Sequence, residues 1–153
     1  MALITLNKLA LPQNSIIQVV RTAASTSTQI STSSSSFVAS GIQASLTPTK
    51  SGNLIFADFI SSMSDFDQSS NLRAKFYRKI GSGSMSDAGG EQYELGYNTS
   101  TNRYSPLTGA ISYTTTSTDT ITYEVFFRAS NTNNSRLVHH GASYSLTIKE
   151  IAQ

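Results

Sequence analysis

The run Ile121-Thr122-Tyr123-Glu124-Val125-Phe126-Phe127-Arg128 decides the fold class. Ile121, Tyr123, Val125 and Phe127 take one side of it, while Thr122, Glu124, Phe126 and Arg128 take the other. Side chains on an extended chain point alternately to opposite faces, so this period of two predicts a strand with one buried side. The same alternation returns in Tyr144, Leu146 and Ile148 against Ser145, Thr147 and Lys149, and in Ile42, Ala44 and Leu46 against Gln43 and Ser45. Loops built largely of Ser, Thr, Asn and Gly separate these runs.

Working outward, Ile16, Ile17, Val19 and Val20 form a dense, mostly β-branched strand, expected to be buried on both faces or held at a subunit contact. The hydroxyl-rich tract 22–36 reads as an irregular edge strand around 26–32. In Phe37–Leu46, Gly41 marks a bulge, and Pro48 ends the strand. Thr49, Lys50, Ser51 and Gly52 form a tight turn into the apolar strand 53–60, which predicts Leu46 facing Leu54 across a hairpin. A loop through Asp65 and Asp67, a strand over 72–80, a glycine-rich loop over 81–90, a short strand at 93–97, an irregular stretch over 98–106 and a strand at 108–113 complete the middle of the chain. The pattern predicts an all-β, antiparallel β-sandwich, jelly-roll-like, of about eight strands.

The first residues differ. Leu3, Ile4, Leu6, Leu9 and Leu11 are scattered through a segment that Pro12 stops from continuing as a helix. Residues 1–14 are read as an N-terminal docking arm and 15–153 as a single sandwich domain, since 153 residues suit one core. The arm lacks the basic start and continuous apolar stretch of an export signal, and no later run reaches the ~20 apolar residues needed to cross a bilayer. Synthesis in the cytoplasm of whichever cell makes it, without membrane insertion, is therefore expected.

Composition narrows the function. Charged residues make up 13% and the net charge is +2, so solubility rests on neutral hydroxyls and amides, and no strong field exists to capture nucleic acid. Arg73, Lys75, Arg78 and Lys79 are the one concentration of positive charge, read as a solvated face or a charge-guarded edge. No cysteine is present, which removes disulfides and thiol chemistry. His139 and His140 are adjacent in a strand-like stretch, would point to opposite faces, and cannot share one metal ion. Asp65 and Asp67 lack the glycine and closing glutamate of a calcium loop. Gly81 and Gly83 lack the third glycine and the alternating helices of a dinucleotide site. No serine sits in a nucleophile elbow. No catalytic residue, metal ligand or cofactor is expected, and the chain is read as no enzyme. Tyr97, Asn98, Arg103 and Tyr104 are the candidate ligand contacts, because flat rings and amides grip sugars or protein surfaces at low entropic cost.

Ser15-Ile16-Ile17-Gln18-Val19-Val20, the Ser/Thr tract, Phe37-Val38-Ala39-Ser40-Gly41-Ile42, Ser45-Leu46-Thr47-Pro48-Thr49, Asn53-Leu54-Ile55 and the closing Ser145–Ala152 together resemble a family of small β-rich virion proteins and fibre domains of tailed bacteriophages. The resemblance implies a non-enzymatic component on the virion surface, usually a homotrimer, whose partners are other virion proteins of tail or capsid. Two roles compete. One is a tail-fibre or receptor-binding subunit touching a host surface glycan or protein; the other is a capsid decoration protein clamping the major capsid protein. A secreted carbohydrate-binding module and an envelope-degrading enzyme rank lower, the first for want of an export signal and the second for want of a catalytic constellation. Changing Leu3, Leu6 and Leu9 together to Ser is expected to leave the sandwich folded and to abolish incorporation into particles, measured by the content of this protein in purified virions.

Overall fold

The computed structural model describes residues 12–66, 71–89, 93–95, 103–130 and 133–153. These form strands and no helix: β1 (Ile16–Ser25), β2 (Ile30–Thr32), β3 (Val38–Leu46), β4 (Leu54–Phe66), β5 (Leu72–Ile80), β6 (Ser86–Asp87), β7 (Tyr93–Leu95), β8 (Arg103–Thr114), β9 (Ile121–Ala129), β10 (Ser135–Val138) and β11 (Ser143–Ile151). One sheet runs β1-β11-β4-β10-β2 with β8 on the other side of β4; the second runs β3-β9-β5-β6, with β7 also on β5. Every pairing is antiparallel.

The pairings are nested. β1 pairs β11, β2 pairs β10, β3 pairs β9, β4 pairs β8 and β5 pairs β7, so the chain is one long hairpin folded on itself, with the β1–β11, β2–β10 and β4–β8 rungs in the first sheet and the β3–β9 and β5–β7 rungs in the second. That is the jelly-roll arrangement expected from the spacing of the strands. Period-two burial follows from it. Ile42, Ala44 and Leu46, Ile55, Ala57 and Phe59, Leu72, Ala74 and Phe76, Ile121, Tyr123, Val125 and Phe127, and Leu146 and Ile148 meet in a single core between the sheets.

Several expectations need correction. Leu46 does not face Leu54: β3 lies in the second sheet, where Leu46 pairs with Ile121, while β4 lies in the first, where Leu54 pairs with Ile151 and Thr114. The turn at 47–53 is therefore a crossover between sheets, because the β3–β9 and β4–β8 rungs lie on opposite sides of the core. Asp65 is not in a loop. β4 continues through Phe66, and Asp65 is fully buried against Arg136, 2.7 Å away; Asp67 lies outside the described residues. The stretch read as irregular becomes strand from Arg103, and β8 accommodates Pro106 because β4 is its one strand partner among the described residues. His139 and His140 follow β10 in a turn closed by the Ala142 N–H donating to the His139 carbonyl at 3.0 Å. The hydroxyl tract divides, its start extending β1 to Ser25 and Ile30–Thr32 forming the edge strand β2. At Gly41 the expected bulge is present. The pairing steps from Ala39↔Phe126 to Gln43↔Glu124, Gly41 has φ of 76°, and its N–H donates to Glu124 Oε1 at 2.9 Å.

One buried acid ties the ends of the chain to the crossover. Glu150 on β11 is fully buried. Its Oε1 accepts from the Thr49 backbone N–H (2.7 Å), Thr49 Oγ1 (2.8 Å) and Asn53 Nδ2 (2.7 Å), and its Oε2 accepts from Gln18 Nε2 (2.6 Å) on β1. Burial pushes this carboxyl up, but the hydrogen bonds from Asn53, Gln18 and Thr49 outweigh burial and hold it below its ordinary value of 4.5. The folded state thus binds this proton less readily than the unfolded chain. Its stabilising contribution is complete above pH 4.5 and is lost as the pH falls through the lower folded value. Glu150→Gln is expected to lower the unfolding free energy by about 2–4 kcal/mol at neutral pH, since an amide presents a donor where donors already converge. Urea melts should also show the wild-type advantage shrinking as the pH drops below 4.5.

Candidate functional site

A sandwich offers two outer faces, and the residues that alternate with the core decide the chemistry of each. On the first sheet the register aligns Ala23, Ser145, Ile60 and Thr108; then Arg21, Thr147, Asp58 and Ala110; then Val19, Lys149, Phe56 and Ser112; then Ile16, Ile151, Leu54 and Thr114. This face is neutral at its centre, where Lys149 Nζ pairs with Asp58 at 3.0 Å and lies 5.4 Å from the Phe56 ring centroid. Around that pair it is apolar and hydroxyl-lined, with Ile16 56%, Val19 53% and Ile60 49% exposed. Ile16 and Val19 lie together on β1, and Ile60 stands apart on β4 beyond the Arg21–Thr147–Asp58 row; exposed aliphatic side chains of this size are candidate contact points.

The strand expected as a subunit contact is split by this geometry. Ile16 and Val19 point outward, whereas Val20 packs on the core and Ile17 is half-buried at the register shift between Ile16 and Gln18. β1 is thus neither buried on both faces nor uniform, because among the described residues it is an edge strand with one face on the core.

The outer face of the second sheet is aromatic and cationic. Tyr77 stacks on Phe126 with centroids 3.9 Å apart and planes 16° apart, and Phe37 lies 6.3 Å from Tyr77. The Arg128 guanidinium sits 5.3 Å from the Phe37 ring and donates to the Ser35 carbonyl at 3.1 Å. Arg73 stands opposite Arg128 in the β5–β9 register, and Lys75 pairs with Asp87. The hydrogen bond from Lys75, with that of the Gly89 N–H, holds the Asp87 carboxyl below its usual value. The four cations of β5 therefore do not share one face. Arg73, Lys75 and Lys79 are on outward positions of a strand flanked by β9 and by β6 and β7, so β5 is not an edge along its length. Arg78, on the inward register, lies 3.7 Å over the Tyr113 ring and within 3.5 Å of Tyr123 Oη. Burial pushes the Tyr123 hydroxyl up.

Of the candidate ligand contacts, Tyr97 and Asn98 lie outside the described residues, as do the arm residues Leu3, Ile4, Leu6, Leu9 and Leu11. Arg103 opens β8 opposite Phe66, and Tyr104 is 54% exposed, edge-on to the His139 ring at 5.0 Å. These two sit at the far end of the first sheet, away from the Phe37, Tyr77, Phe126 and Arg128 cluster, which sequence reading did not single out. The signal was present: Phe126 and Tyr77 occupy outward positions that a half-buried strand normally gives to polar residues. Among the described residues no group of three or more His, Cys, Asp or Glu side chains could hold a metal ion.

No protein-family profile matches the chain, and no curated protein does. Among solved structures it is similar to the Eiger TNF of S. frugiperda, at 8% identity over 67% of this chain and 63% of that one, with a TM-score of 0.43. It is also similar to chains of infectious bursal disease virus. For the Gx strain the identity is 19% over 86% of this chain and 32% of that one (TM-score 0.43); for the Gt strain it is 14% over 99% and 47% (TM-score 0.33). The chain thus spans less than two thirds of each of these three, and likenesses this loose carry no inference about family or role.

Phe126→Ser is expected to cost about 1–2 kcal/mol, the loss of one partly exposed ring stack. Phe127→Ser, one residue along on the core side, should cost about 4 kcal/mol or prevent folding. Chemical denaturation of the two variants side by side measures the contrast.

Proposed function

We propose that this protein is a non-enzymatic structural subunit of a virion surface, of tail-fibre or receptor-binding type, which joins copies of itself through one outer face and presents the other. The observation that carries this reading is the chemical difference between the two faces. The first sheet presents aliphatic side chains among hydroxyls around one internally neutralised ion pair, with Arg21 its one further charge, a composition suited to packing against protein. The second presents stacked rings bordered by arginine and lysine, a composition suited to gripping a sugar or a protein surface. The segments that resemble phage virion proteins supply the biological setting, and fold likeness on its own would be a weak warrant for function. A capsid decoration protein would use the first face in the same way and leave the second idle.

In this reading the assembly is a homotrimer. Sedimentation at micromolar concentration should show it, and Ile60→Lys should yield a folded monomer by placing an unpaired charge at the contact. A wild-type monomer overturns the assembly. Incubation with host envelope polysaccharide separates the roles. Reversible retention weakened by Phe126→Ser supports receptor binding, the absence of retention supports decoration, and shortening of the sugar chains would make the protein an enzyme and overturn the proposal.

A further inference from the structure

The outer face of the second sheet carries positive charge that its own acids do not cover. Read across β5 and β9, its outward rows are Arg73 with Arg128, Lys75 with Phe126, Tyr77 with Glu124 and Lys79 with Thr122. Asp87 is engaged by Lys75, Glu94 stands opposite Arg73 in the β5–β7 register, and the buried Glu124 accepts from the Gly41 N–H. Arg128 and Lys79 are left without an acidic partner among the described residues. Their rows lie ~20 Å apart along the strands, at ~3.3 Å per residue.

Arg128 still has donors to give. Its Nη1 donates to the Ser35 carbonyl, while its Nε is buried without a hydrogen-bond partner. A guanidinium fixed in this way is suited to receive a carboxylate. Between the two cations lie Tyr77 and Phe126, stacked on each other, with Phe37 beside Tyr77 and against the Arg128 guanidinium. Ring faces spent on one another leave their rims to meet a partner, and the rim is the positive part of an aromatic quadrupole. Such rims attract oxygen. A nucleic acid strand needs the opposite, open ring faces on which its bases can stack.

A second copy of this chain is a poor occupant. A symmetric contact would bring the same cations together, and Asp58, Asp65 and Glu150 are already engaged by Lys149, by Arg136 and by the donors Gln18, Thr49 and Asn53. The chemistry that fits is rich in oxygen and carries negative charge at intervals along an extended chain.

We infer that this face binds an acidic polysaccharide, with Arg128 and Lys79 taking carboxylates at its two ends and the rims of Phe37, Tyr77 and Phe126 meeting the hydroxylated sugars between them. This deepens the receptor-binding reading and rests on it for its setting, since it names the chemical class of the glycan.

Polygalacturonate is the probe, because reducing its carboxyl groups to alcohols removes the charge and keeps the sugar chain. The wild type should bind immobilised polygalacturonate at low salt and bind the carboxyl-reduced polymer about ten-fold or more weakly. Arg128→Gln combined with Lys79→Gln should lose a similar factor on polygalacturonate, whereas Arg21→Gln, on the other face, should lose nothing. Equal binding of the two polymers overturns the inference, as does binding of neither, or a loss confined to Arg21→Gln. Tighter binding of oligodeoxythymidylate or of polyglutamate than of polygalacturonate also overturns it, in favour of a nucleic acid or an acidic protein. The comparison of the two polymers uses the wild type alone, so it holds whether or not the double variant folds. Retention on host envelope polysaccharide that survives reduction of that polysaccharide's carboxyl groups would overturn this inference and leave receptor binding standing. Binding to polygalacturonate without retention on the host polysaccharide would support the ligand class and count against the receptor-binding role.

Discussion

The position of the last strand is the constraint on which the rest of the molecule depends. β11 lies between β1 and β4, so the first sheet is incomplete until the C-terminal residues arrive. Glu150 makes that arrival specific. One carboxylate takes hydrogen bonds from β1 and from the crossover that carries the chain from the second sheet to the first. A buried charge without those donors would be strongly unfavourable, so the acid selects the register in which Gln18, Thr49 and Asn53 all reach it. The crossover then sets where β4 begins, and β4 in turn organises β8, β10 and β11 around itself.

Nested pairing has kinetic and mechanical consequences. β1 with β11 joins residues separated by most of the chain and β3 with β9 residues separated by about half of it, and such contacts form only after a large loss of loop entropy. Once formed, they set β1 and β11, the first and last strands among the described residues, side by side in one sheet.

The two outer faces show how little charge this surface uses. On the first sheet the central lysine and aspartate neutralise each other above a phenylalanine, and apart from the exposed Arg21 the remainder is aliphatic or hydroxylic. On the second, Lys75 and Asp87 pair beside stacked rings, while Arg128 lies against an aromatic ring and a backbone carbonyl. Long-range steering is weak on such a protein, so recognition has to come from shape, stacking and hydrogen bonds at contact distance.

Much of the fold was legible because a half-buried strand writes its period into the chain. Ile121 to Arg128, Ile42 to Leu46 and Tyr144 to Lys149 lie where their alternation places them, and Gly41 bulges where a strand pattern is interrupted by a residue free to take positive φ. Partner choice was not legible, since alternation says which side of a strand is buried and nothing about which strand lies beside it. Leu46 and Leu54 are close in sequence and alike in chemistry, yet they belong to different sheets because the β3–β9 and β4–β8 rungs lie on opposite sides of the core. The same blindness hid the sites. Phe126 and Tyr77 were visible as outward aromatics, but only the register of β5 on β9 stacks them, and only the approach of Phe37 and Arg128 turns the pair into a patch. By itself the sequence determined an all-β chain with one apolar side to each strand and a nearly uncharged coat, because those properties are local and periodic. Tertiary structure decided which outward residues meet, that Asp65 and Glu150 are buried with partners, and that β1 lies at the edge of its sheet among the described residues, because these depend on pairings between residues far apart in the chain.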